Sequence, residues 1–334
     1  MDKYEIVGRI GEGAHGIVFE GKHIQTCDTV ALKKVSLKRL EDGIPVQMLR
    51  EIKSLQELNH ENIVRLRDVF PYSAGLVLVF DYMVTDLSEL IRDFENPLTT
   101  PQIKSYLQQL LYGVAHMHFN NIMHRDLKPA NLLINSKGQL KIADLGQARL
   151  FFEKERRAYS HQVATRWYRA PELLYGSKYY DQGVDMWAVG CILAEMFNSS
   201  PLFPGENDIE QLVCVFRLLG TPTEKEWPGM SSLPDYAKIT FPKHEPVPFD
   251  RLIPEAGEDA RHLISSLLAF DSKKRPSAKD CLIHDFIMCY PLPATLKELP
   301  QPKPRVKKRP MNLDFDPNTP LQASLASVDD VFDF

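Results

Sequence analysis

The sequence predicts an α+β fold in two lobes: a small strand-rich lobe with one helix, then a larger and mostly helical lobe. Residues 4–10 alternate between apolar and polar, and residues 30–32 form a short apolar run, as strands do. Apolar side chains then recur at helical spacing over residues 45–58 and, more strongly, over residues 101–120. Strands thus come first and helices later, so we expect the lobes to meet, with a cleft between them, near residues 81–85.

Three segments are predicted along the chain. Residues 1–83 form the first lobe, in which two further apolar runs, residues 63–66 and 76–80, are predicted to be buried strands. Residues 84–290 form the helical lobe. Residues 291–334 are rich in proline and basic residues and then turn acidic, so we expect an extended or disordered tail rather than a third domain.

Composition and charge narrow the class of protein. The chain of 334 residues is 44% hydrophobic and 25% charged, as is usual for a globular protein, and its formal net charge is −4. This charge gives no general attraction to nucleic acid, and no apolar stretch is long enough to cross a bilayer. Five cysteines without a CxxC pair indicate reduced thiols. We therefore expect a soluble protein of the cytoplasm or nucleus, with no nucleic-acid partner and no membrane insertion.

A glycine-rich turn follows the first predicted strand. Gly11, Gly13 and Gly16 stand in a GxGxxGxV pattern that ends at Val18. Glycines allow backbone N–H groups to approach phosphate oxygens, because a Cβ atom would obstruct the contact. The pattern alone is a weak signal, since ordinary tight turns and dinucleotide-binding folds share it. A dinucleotide site requires a helix directly after the glycines, whereas β-branched and aromatic residues follow here and favour a second strand.

A lysine and a glutamate are placed so that they could hold phosphate groups. Lys33 ends an apolar predicted strand, and Glu51 lies in the middle of the predicted helix at residues 45–58. A carboxylate that fixes the lysine would let its ammonium group clamp the α- and β-phosphates of a nucleotide. Taken alone, Lys33 would more simply be a solvated residue at the end of a strand.

The most specific segment is the loop at residues 124–131. It places Asp126, Lys128 and Asn131 directly after a long predicted helix. These side chains suit phosphoryl transfer, in which they orient the attacking hydroxyl, neutralise the transferred group and hold a metal. Asp144 follows another short apolar run and supplies the hard oxygen ligand that Mg²⁺ requires. By itself, Asp144 would be an ordinary turn residue.

Taken in order, these motifs resemble those of the protein kinase family over residues 4 to about 288. The resemblance implies the bilobal protein-kinase fold, ATP and Mg²⁺ as cofactors, and phosphorylation of serine or threonine in proteins. It makes Asp126 the catalytic base, gives Lys128 contact with the γ-phosphate, and makes Asn131 and Asp144 the metal ligands. It assigns ATP binding to Ile10, Gly11, Gly13, Gly16, Val18, Ala31, Lys33, Glu51, Phe80, Asp81 and Met83.

The same resemblance identifies two supporting devices in the helical lobe. Asp185 is expected to brace the catalytic loop that carries Asp126. Glu172 and Arg275 are expected to form an ion pair that ties the late part of the lobe together.

Within that family, the chain resembles the cyclin-dependent branch. Residues 45–51 stand where those kinases carry Pro-Ser-Thr-Ala-Ile-Arg-Glu, residues 76–83 match their hinge, and residues 220–254 match their insert. The resemblance implies a cyclin or cyclin-like activator at the helix from Pro45 to Glu51. It also implies a role in cell-cycle control or in cilium assembly or length, and hence a further location at the cilium.

The resemblance places a regulatory phosphorylation site at Ser160, in the activation loop. A phosphate there would add about −1.5 to −2 charge. Arg50, Arg125 and Arg149 resemble the three arginines that converge on such a phosphate, so we expect an upstream kinase to order this loop. The plain alternative is a surface serine among solvated arginines. Val163 and Arg169 resemble the arrangement that favours proline after the target residue, which predicts Ser/Thr-Pro sites in protein substrates.

Three departures from the family pattern affect these expectations. Leu145 replaces the phenylalanine of Asp-Phe-Gly, and Gln147 replaces a leucine, so we expect activity to survive with a shifted conformational preference. Residues 14–15 lack the hydroxyls that many cyclin-dependent kinases phosphorylate for inhibition. The main alternative function is a non-catalytic scaffold of the same fold. Lys33, Asp126, Asn131 and Asp144, the four residues needed for catalysis, are all present, which favours an enzyme.

Overall fold

The computed structural model describes residues 3–13, 16–36, 46–72, 75–151 and 158–302. Within them, a five-stranded antiparallel sheet with one long helix precedes a helical lobe, so the predicted two-lobe α+β architecture is confirmed. The predicted helix start at residue 45 and most of the predicted tail lie outside the described residues.

The first lobe is built on the antiparallel sheet. Its strands are β1 (Tyr4–Gly13), β2 (Gly16–His23), β3 (Thr29–Ser36), β4 (Leu66–Pro71) and β5 (Gly75–Asp81), in the order β1-β2-β3-β5-β4. Helix α1 (Val46–Glu57) lies between β3 and β4 in the chain and belongs to the same lobe. Its residues Met48, Ile52 and Leu55 are buried in the main core, which fixes the face on which Glu51 also lies.

The strand predicted at residues 63–66 is wrong. Strand β4 begins only at Leu66, and Ile63 makes no more than an isolated bridge to Ile142. The backbone N–H of Val64 donates to Ile142 O at 2.8 Å, so this stretch is bonded to the second lobe rather than to the sheet. Its apolar side chains reflect burial where the lobes join, and a short apolar run cannot distinguish that from a buried strand.

The second lobe is mainly helical. Its helices are α2 (Leu87–Ile91), α3 (Thr100–Phe119), α4 (Pro171–Leu174), α5 (Gly183–Asn198), α6 (Asp208–Leu219), α7 (Phe249–Leu252), α8 (Glu258–Leu267), α9 (Ala278–Leu282) and α10 (Asp285–Met288). Helix α3 confirms the periodicity seen over residues 101–120, and Thr99 caps its start, where Gln102 Oε1 accepts from the Thr99 backbone N–H at 3.0 Å. Helix α5 is buried along nearly its whole length, so it forms the centre of the lobe.

In the described part of the second lobe, five short strands accompany these helices. They are β6 (Thr85–Asp86), β7 (Ile122–Met123), β8 (Leu132–Ile134), β9 (Leu140–Ile142) and β10 (Arg149–Leu150). Strands β6, β8 and β9 form one sheet, and β10 pairs with β7. The predicted catalytic loop connects β7 to β8, and Asp144 follows β9 by two residues. The predicted catalytic loop and the segment that contains Asp144 therefore both follow short, buried strands at the same edge of the cleft.

An ion pair joins α4 to the end of the lobe. Arg275 donates to both carboxylate oxygens of Glu172, with N–O distances of 2.7 and 2.9 Å. Arg275 also donates to the backbone carbonyl of Gly183, and its guanidinium lies 5.1 Å from the ring centroid of Trp187. The geometry agrees with the predicted role of the pair, which is buried at both ends.

Residues 289–302 pack against α3. Lys104 Nζ donates to Cys289 O at 2.8 Å, and the Ala294 N–H donates to Pro101 O at 2.9 Å. Leu299 is buried and lies against Gly138, in the turn between β8 and β9. The described beginning of the predicted tail is thus irregular but held in place, because it buries an apolar side chain and satisfies backbone groups.

Two expectations about the whole chain can be checked in the described residues. None of the helices there combines the length and apolar character that a membrane span requires. All five cysteines are free thiols.

Removing Arg275 should destabilise the second lobe severely. The change Arg275→Ala leaves the buried Glu172 carboxylate without its partner, which costs about 3 to 5 kcal/mol of unfolding free energy. Urea unfolding followed by circular dichroism measures the loss. The matched control is Lys273→Ala on the exposed side of the same turn, which should stay within about 0.5 kcal/mol of wild type. Equal stabilities of the two variants would contradict a stabilising role for the Glu172–Arg275 ion pair.

Candidate active site

A cavity of about 600 Å³ lies between the two lobes. Strands β1 to β3 and the end of β5 line one side, and the loops after β7 and β9 line the other. Of the residues predicted to contact ATP, the following line it: Ile10, Gly11, Gly16, Val18, Ala31, Lys33, Glu51, Phe80, Asp81 and Met83. Gly13 ends β1. The predicted catalytic and metal residues Asp126, Lys128, Asn131 and Asp144 line the same cavity.

The glycine-rich turn forms a hairpin over this cavity. Gly13 pairs with Gly16 across β1 and β2, so a strand rather than a helix follows the glycines, and a dinucleotide-binding turn is excluded. Gly16 has a φ of 137°, and a Cβ atom there would lie 2.2 Å from the Lys34 backbone oxygen. Only glycine fits at this position, because β2 and β3 approach closely beneath the turn.

Lys33 and Glu51 meet at the back of the cavity. Lys33 Nζ lies 2.6 Å from Glu51 Oε1 and 3.9 Å from Asp144 Oδ1. The side chains of Lys33 and Glu51 are only 14% and 6% exposed, so Lys33 is not the solvated strand-end residue of the plain alternative. The pair fixes a positive charge inside the cleft at the place where phosphate groups would lie.

Asp126 is surrounded by hydrogen-bond donors. Lys128 Nζ lies 3.1 Å from Asp126 Oδ2, and Asn131 Nδ2 donates to the same oxygen at 3.3 Å. Thr165 donates to Asp126 Oδ1 from its backbone N–H at 2.7 Å and from its hydroxyl at 2.9 Å. These bonds hold the carboxylate at the mouth of the cavity, with Lys128 beside it.

Thr165 is a site residue to which the sequence analysis gave no role. Its hydroxyl also accepts from Lys128 Nζ at 2.7 Å, so it joins the ammonium to the Asp126 carboxylate. The only sequence signal was its place shortly before Arg169. A threonine there is too common in loops to be singled out without the fold.

Asp185 braces the loop from below, as predicted. It is buried on α5 and accepts from the backbone N–H groups of His124 at 2.9 Å and Arg125 at 2.8 Å. His118, at the end of α3, lies 2.8 Å from it through Nε2. Burial alone would raise the pKa of Asp185, but the hydrogen bond and charge interaction with His118, the interaction with His124 and the Arg125 N–H hold that pKa below its ordinary value. The carboxylate therefore stays ionised and fixes the backbone just before Asp126.

Asp144 lines the cavity with an oxygen that has no hydrogen bond and only a long ionic contact, 3.9 Å to Lys33 Nζ. Its backbone is left-handed, with φ 61° and ψ 68°, a conformation that aspartate adopts more readily than most residues. Its Oδ1 is buried and makes no hydrogen bond. Asn131 donates its side-chain N–H to Asp126 O at 2.8 Å, which leaves its amide oxygen as the atom that can bind a cation.

These oxygens fit a Mg²⁺ ion bound together with phosphate. Among the residues that the structure describes, no group of three or more His, Cys, Asp or Glu forms an all-protein metal site. Mg²⁺ does not need one, because it is usually held by one or two carboxylates and by the oxygens of its phosphate ligand. Asp144 and Asn131 supply such a partial set.

Leu145 and Gln147 follow Asp144 in a short helical turn. Leu145 is fully buried in the same core as Ile52 and Leu55 of α1. The leucine thus fills an apolar site and links the segment after Asp144 to the helix that carries Glu51. Gln147 contributes its backbone carbonyl, which accepts from Arg125 Nε at 2.8 Å.

The predicted regulatory cluster is only partly described. Ser160 is exposed, and Arg149 lies on β10, paired with Met123 of β7. Arg125 is buried and bonds to Gln147 and Tyr180. The side chain of Arg50 lies outside the described residues. Convergence of the three arginines on residue 160 therefore stays a prediction.

Arg169 and Val163 are brought together, as predicted. Arg169 Nε donates to Val163 O at 2.8 Å, and Nη2 donates to Ala164 O at 2.9 Å. A third donor, Nη1, binds Asp208 Oδ1 at 2.9 Å. Ala164 has a φ of 65°, an uncommon value for a residue other than glycine, which turns its carbonyl towards the arginine. Sequence gave no sign of this strained residue.

Comparison with known proteins agrees with this geometry. Residues 4–287 match the protein kinase domain family. Cyclin-dependent kinase 20 of Danio rerio is 61% identical over 304 residues, which cover 91% of this chain and 88% of the relative. Cyclin-dependent kinase 20 of Homo sapiens is 54% identical over 333 residues, which cover 97% and 96% of the two chains. A chain of the yeast RNA Pol II CTD kinase CTDK-1 complex superposes with a TM-score of 0.82 at 34% identity, over 89% of this chain and 96% of that one.

Replacing Asp185 should loosen the loop in a pH-dependent way. The change Asp185→Asn puts an amide N–H against a backbone donor, and the lost charged hydrogen bonds cost about 3 kcal/mol of unfolding free energy at pH 7. The pKa of Asp185 is lowered on folding, so its contribution is complete above the unfolded pKa and disappears as pH falls through the lower folded pKa. The difference from wild type should therefore shrink only below about pH 4.

Urea unfolding at pH 7, 5 and 3.5 measures this difference. Asp250→Asn, at an exposed position on α7, serves as the matched control and should change stability by less than about 0.5 kcal/mol at each pH. A deficit in Asp185→Asn that already disappears between pH 7 and 5 would argue against an ionised Asp185 with a lowered pKa.

Proposed function

Because the chain belongs to the protein kinase family, in its cyclin-dependent-kinase-like branch, we propose that it is an active serine/threonine kinase that prefers Ser/Thr-Pro sites. One observation carries the proposal. Lys33, Asp126 and Asp144, far apart in sequence, line one cavity whose size suits a nucleotide. A scaffold would not need a buried Lys33–Glu51 pair and an Asp144 oxygen without a hydrogen bond in that cavity.

In the proposed reaction, the cleft binds ATP with its phosphates towards Lys33. Lys33 is held by Glu51 and clamps the α- and β-phosphates. Asp144 and Asn131 hold Mg²⁺, which neutralises charge on the phosphate oxygens when it is bound. Ala31, Phe80 and Met83 supply apolar walls, and the backbone of Asp81 and Met83 binds the adenine ring.

Asp126 acts on the substrate hydroxyl. Its two oxygens accept four hydrogen bonds, two from Thr165 and one each from Lys128 and Asn131, so its acceptor sites are filled. A substrate hydroxyl must displace one of these donors. Lys128 is the donor with another destination, because its ammonium can turn to the γ-phosphate. Asp126 then receives the hydrogen bond of the hydroxyl and accepts its proton as the phosphoryl group is transferred.

The preference for proline follows from the bonds of Arg169. The carbonyls of Val163 and Ala164 are both engaged by Arg169, so they are poor acceptors for a backbone N–H of the residue after the target. An ordinary residue buried there would leave its N–H unpaired, which costs about 1 to 3 kcal/mol. Proline has no N–H and avoids this cost.

Regulation is proposed from the same branch of the family. The relatives are named cyclin-dependent kinases, which supports a cyclin or cyclin-like activator acting on α1. Phosphorylation of Ser160 by an upstream kinase is the second proposed input, because the serine is exposed and Arg125 lies beneath this segment. A location in the cytoplasm, nucleus or cilium, with a role in cell-cycle control or cilium assembly, is proposed on the resemblance alone.

Phosphoryl transfer should depend on Asp126. With radiolabelled ATP and a Ser-Pro peptide, the full chain, with any partner that copurifies, should label the peptide. Asp126→Asn should lower kcat by about 100-fold or more, because the substrate hydroxyl loses its base. Asp250→Asn should leave kcat unchanged.

Labelling that survives Asp126→Asn at full rate would point to a contaminating kinase. No labelling by wild type, in a protein that still binds ATP, would favour the scaffold alternative.

The proline preference should depend on Arg169. Wild type should phosphorylate a Ser-Pro peptide with a kcat/KM about tenfold above that of the matched Ser-Ala peptide. Arg169→Ala frees the two carbonyls for a substrate N–H, so the ratio should fall towards one. Arg251→Ala, at an exposed position on α7, is the matched control and should retain the ratio. Equal rates on the two peptides with wild type would refute the proline preference.

A further inference from the structure

The Tyr180 hydroxyl bridges the activation segment and the catalytic loop. It donates to the backbone carbonyl of Ser160 at 2.6 Å. The same oxygen accepts from Arg125 Nη1 at 2.7 Å. A hydroxyl has one donor and two acceptor sites, so both bonds form at once without conflict. The unmodified segment at residue 160 is thereby connected to an arginine inside the lobe.

One of the two hydrogen bonds in this bridge has a charged donor, and such a bond is stronger than one between neutral groups. Arg125 is buried, and its cationic donor polarises the hydroxyl that in turn donates to Ser160. Burial raises the pKa of Tyr180, and the nearby Arg125 only partly offsets that effect. The hydroxyl therefore keeps its proton at neutral pH and remains a donor.

Arg125 links this bridge to the catalytic loop and to the segment after Asp144. Its Nε donates to Gln147 O, three residues after Asp144, at 2.8 Å. Its backbone N–H donates to Asp185, and the next residue is Asp126. The position of residue 160 is thus coupled through hydrogen bonds to the backbone of both loops that line the second-lobe side of the cavity.

The hydroxyl can be removed without removing the packing around it. The Tyr180 ring lies 5.3 Å from the Tyr159 ring, between centroids, beside a small cluster formed by Met123, Phe151 and Tyr159. The Tyr159 N–H also donates to Lys178 O at 2.7 Å. Phenylalanine at position 180 would keep these apolar contacts and lose only the bridge.

We propose that Tyr180 is a positioning residue that holds the activation segment in place while Ser160 carries no phosphate. The proposal rests on the kinase activity proposed above. Tyr180 gives the unphosphorylated enzyme a basal rate by anchoring Ser160 to Arg125. A phosphate on Ser160 would bind arginine directly, as a doubly charged acceptor, and the hydroxyl would then contribute little.

The test compares Tyr180→Phe with wild type in two phosphorylation states of the full chain. In protein dephosphorylated at Ser160, we expect kcat on a Ser-Pro peptide to fall about tenfold, with the KM for ATP within about twofold of wild type. In protein that carries phosphoserine at position 160, the two should agree within about twofold. Tyr179→Phe is the matched control, because Tyr179 is exposed, and should match wild type in both states.

Amide hydrogen exchange provides a second readout that needs no catalysis. In the dephosphorylated protein, exchange at residues 158–163 should be faster in Tyr180→Phe than in wild type and in Tyr179→Phe, at equal melting temperature. Unchanged exchange, or an equal loss of kcat in both phosphorylation states, would overturn the bridge. A wild-type protein without transferase activity would refute the proposed function instead, and the exchange comparison would still decide on the bridge.

Discussion

A single buried carboxylate, Asp185, organises the centre of this molecule. It lies on α5, which is buried along nearly its whole length, and receives two consecutive backbone N–H groups, so the chain just before Asp126 has one conformation. An ionised carboxylate in the protein interior is costly unless it is hydrogen-bonded, and His118 provides a third contact, at 2.8 Å. The catalytic loop is therefore positioned by electrostatics from inside the lobe, while its outer side remains available for ligands.

The site consists of two halves that depend on different supports. Lys33 and Glu51 come from the first lobe, where the register of the sheet and the buried face of α1 determine their separation. Asp126, Asn131 and Asp144 come from the loops that follow short strands in the second lobe. Leu145 links the halves, because it packs in the core beside α1 while its neighbour faces the cavity. Movement of α1 would therefore disturb Glu51 and the segment after Asp144 together.

The sequence predicted the residues that belong to recognisable motifs, including Asp185 and the Glu172–Arg275 pair, and missed others whose role depends on the fold. Lys33, Asp126 and Asp144 were found because phosphoryl transfer requires an ammonium and two carboxylates in a recognisable arrangement. Thr165, His118 and Tyr180 act through distances that only the folded chain determines. The strand predicted at residues 63–66 failed for a related reason, since apolar residues at a lobe junction look like a strand.

The packing of residues 289–302 on α3 has a consequence for where this folded unit ends. The match to the family stops at residue 287, yet the Lys104 ammonium group donates its hydrogen bond to the carbonyl of Cys289. Leu299 covers apolar surface next to the turn that precedes β9. A chain shortened to residue 287 would lose the hydrogen-bond acceptor of Lys104 and would expose the apolar surface that Leu299 covers. The polypeptide needed for a stable fold is therefore longer than the part that matches the family.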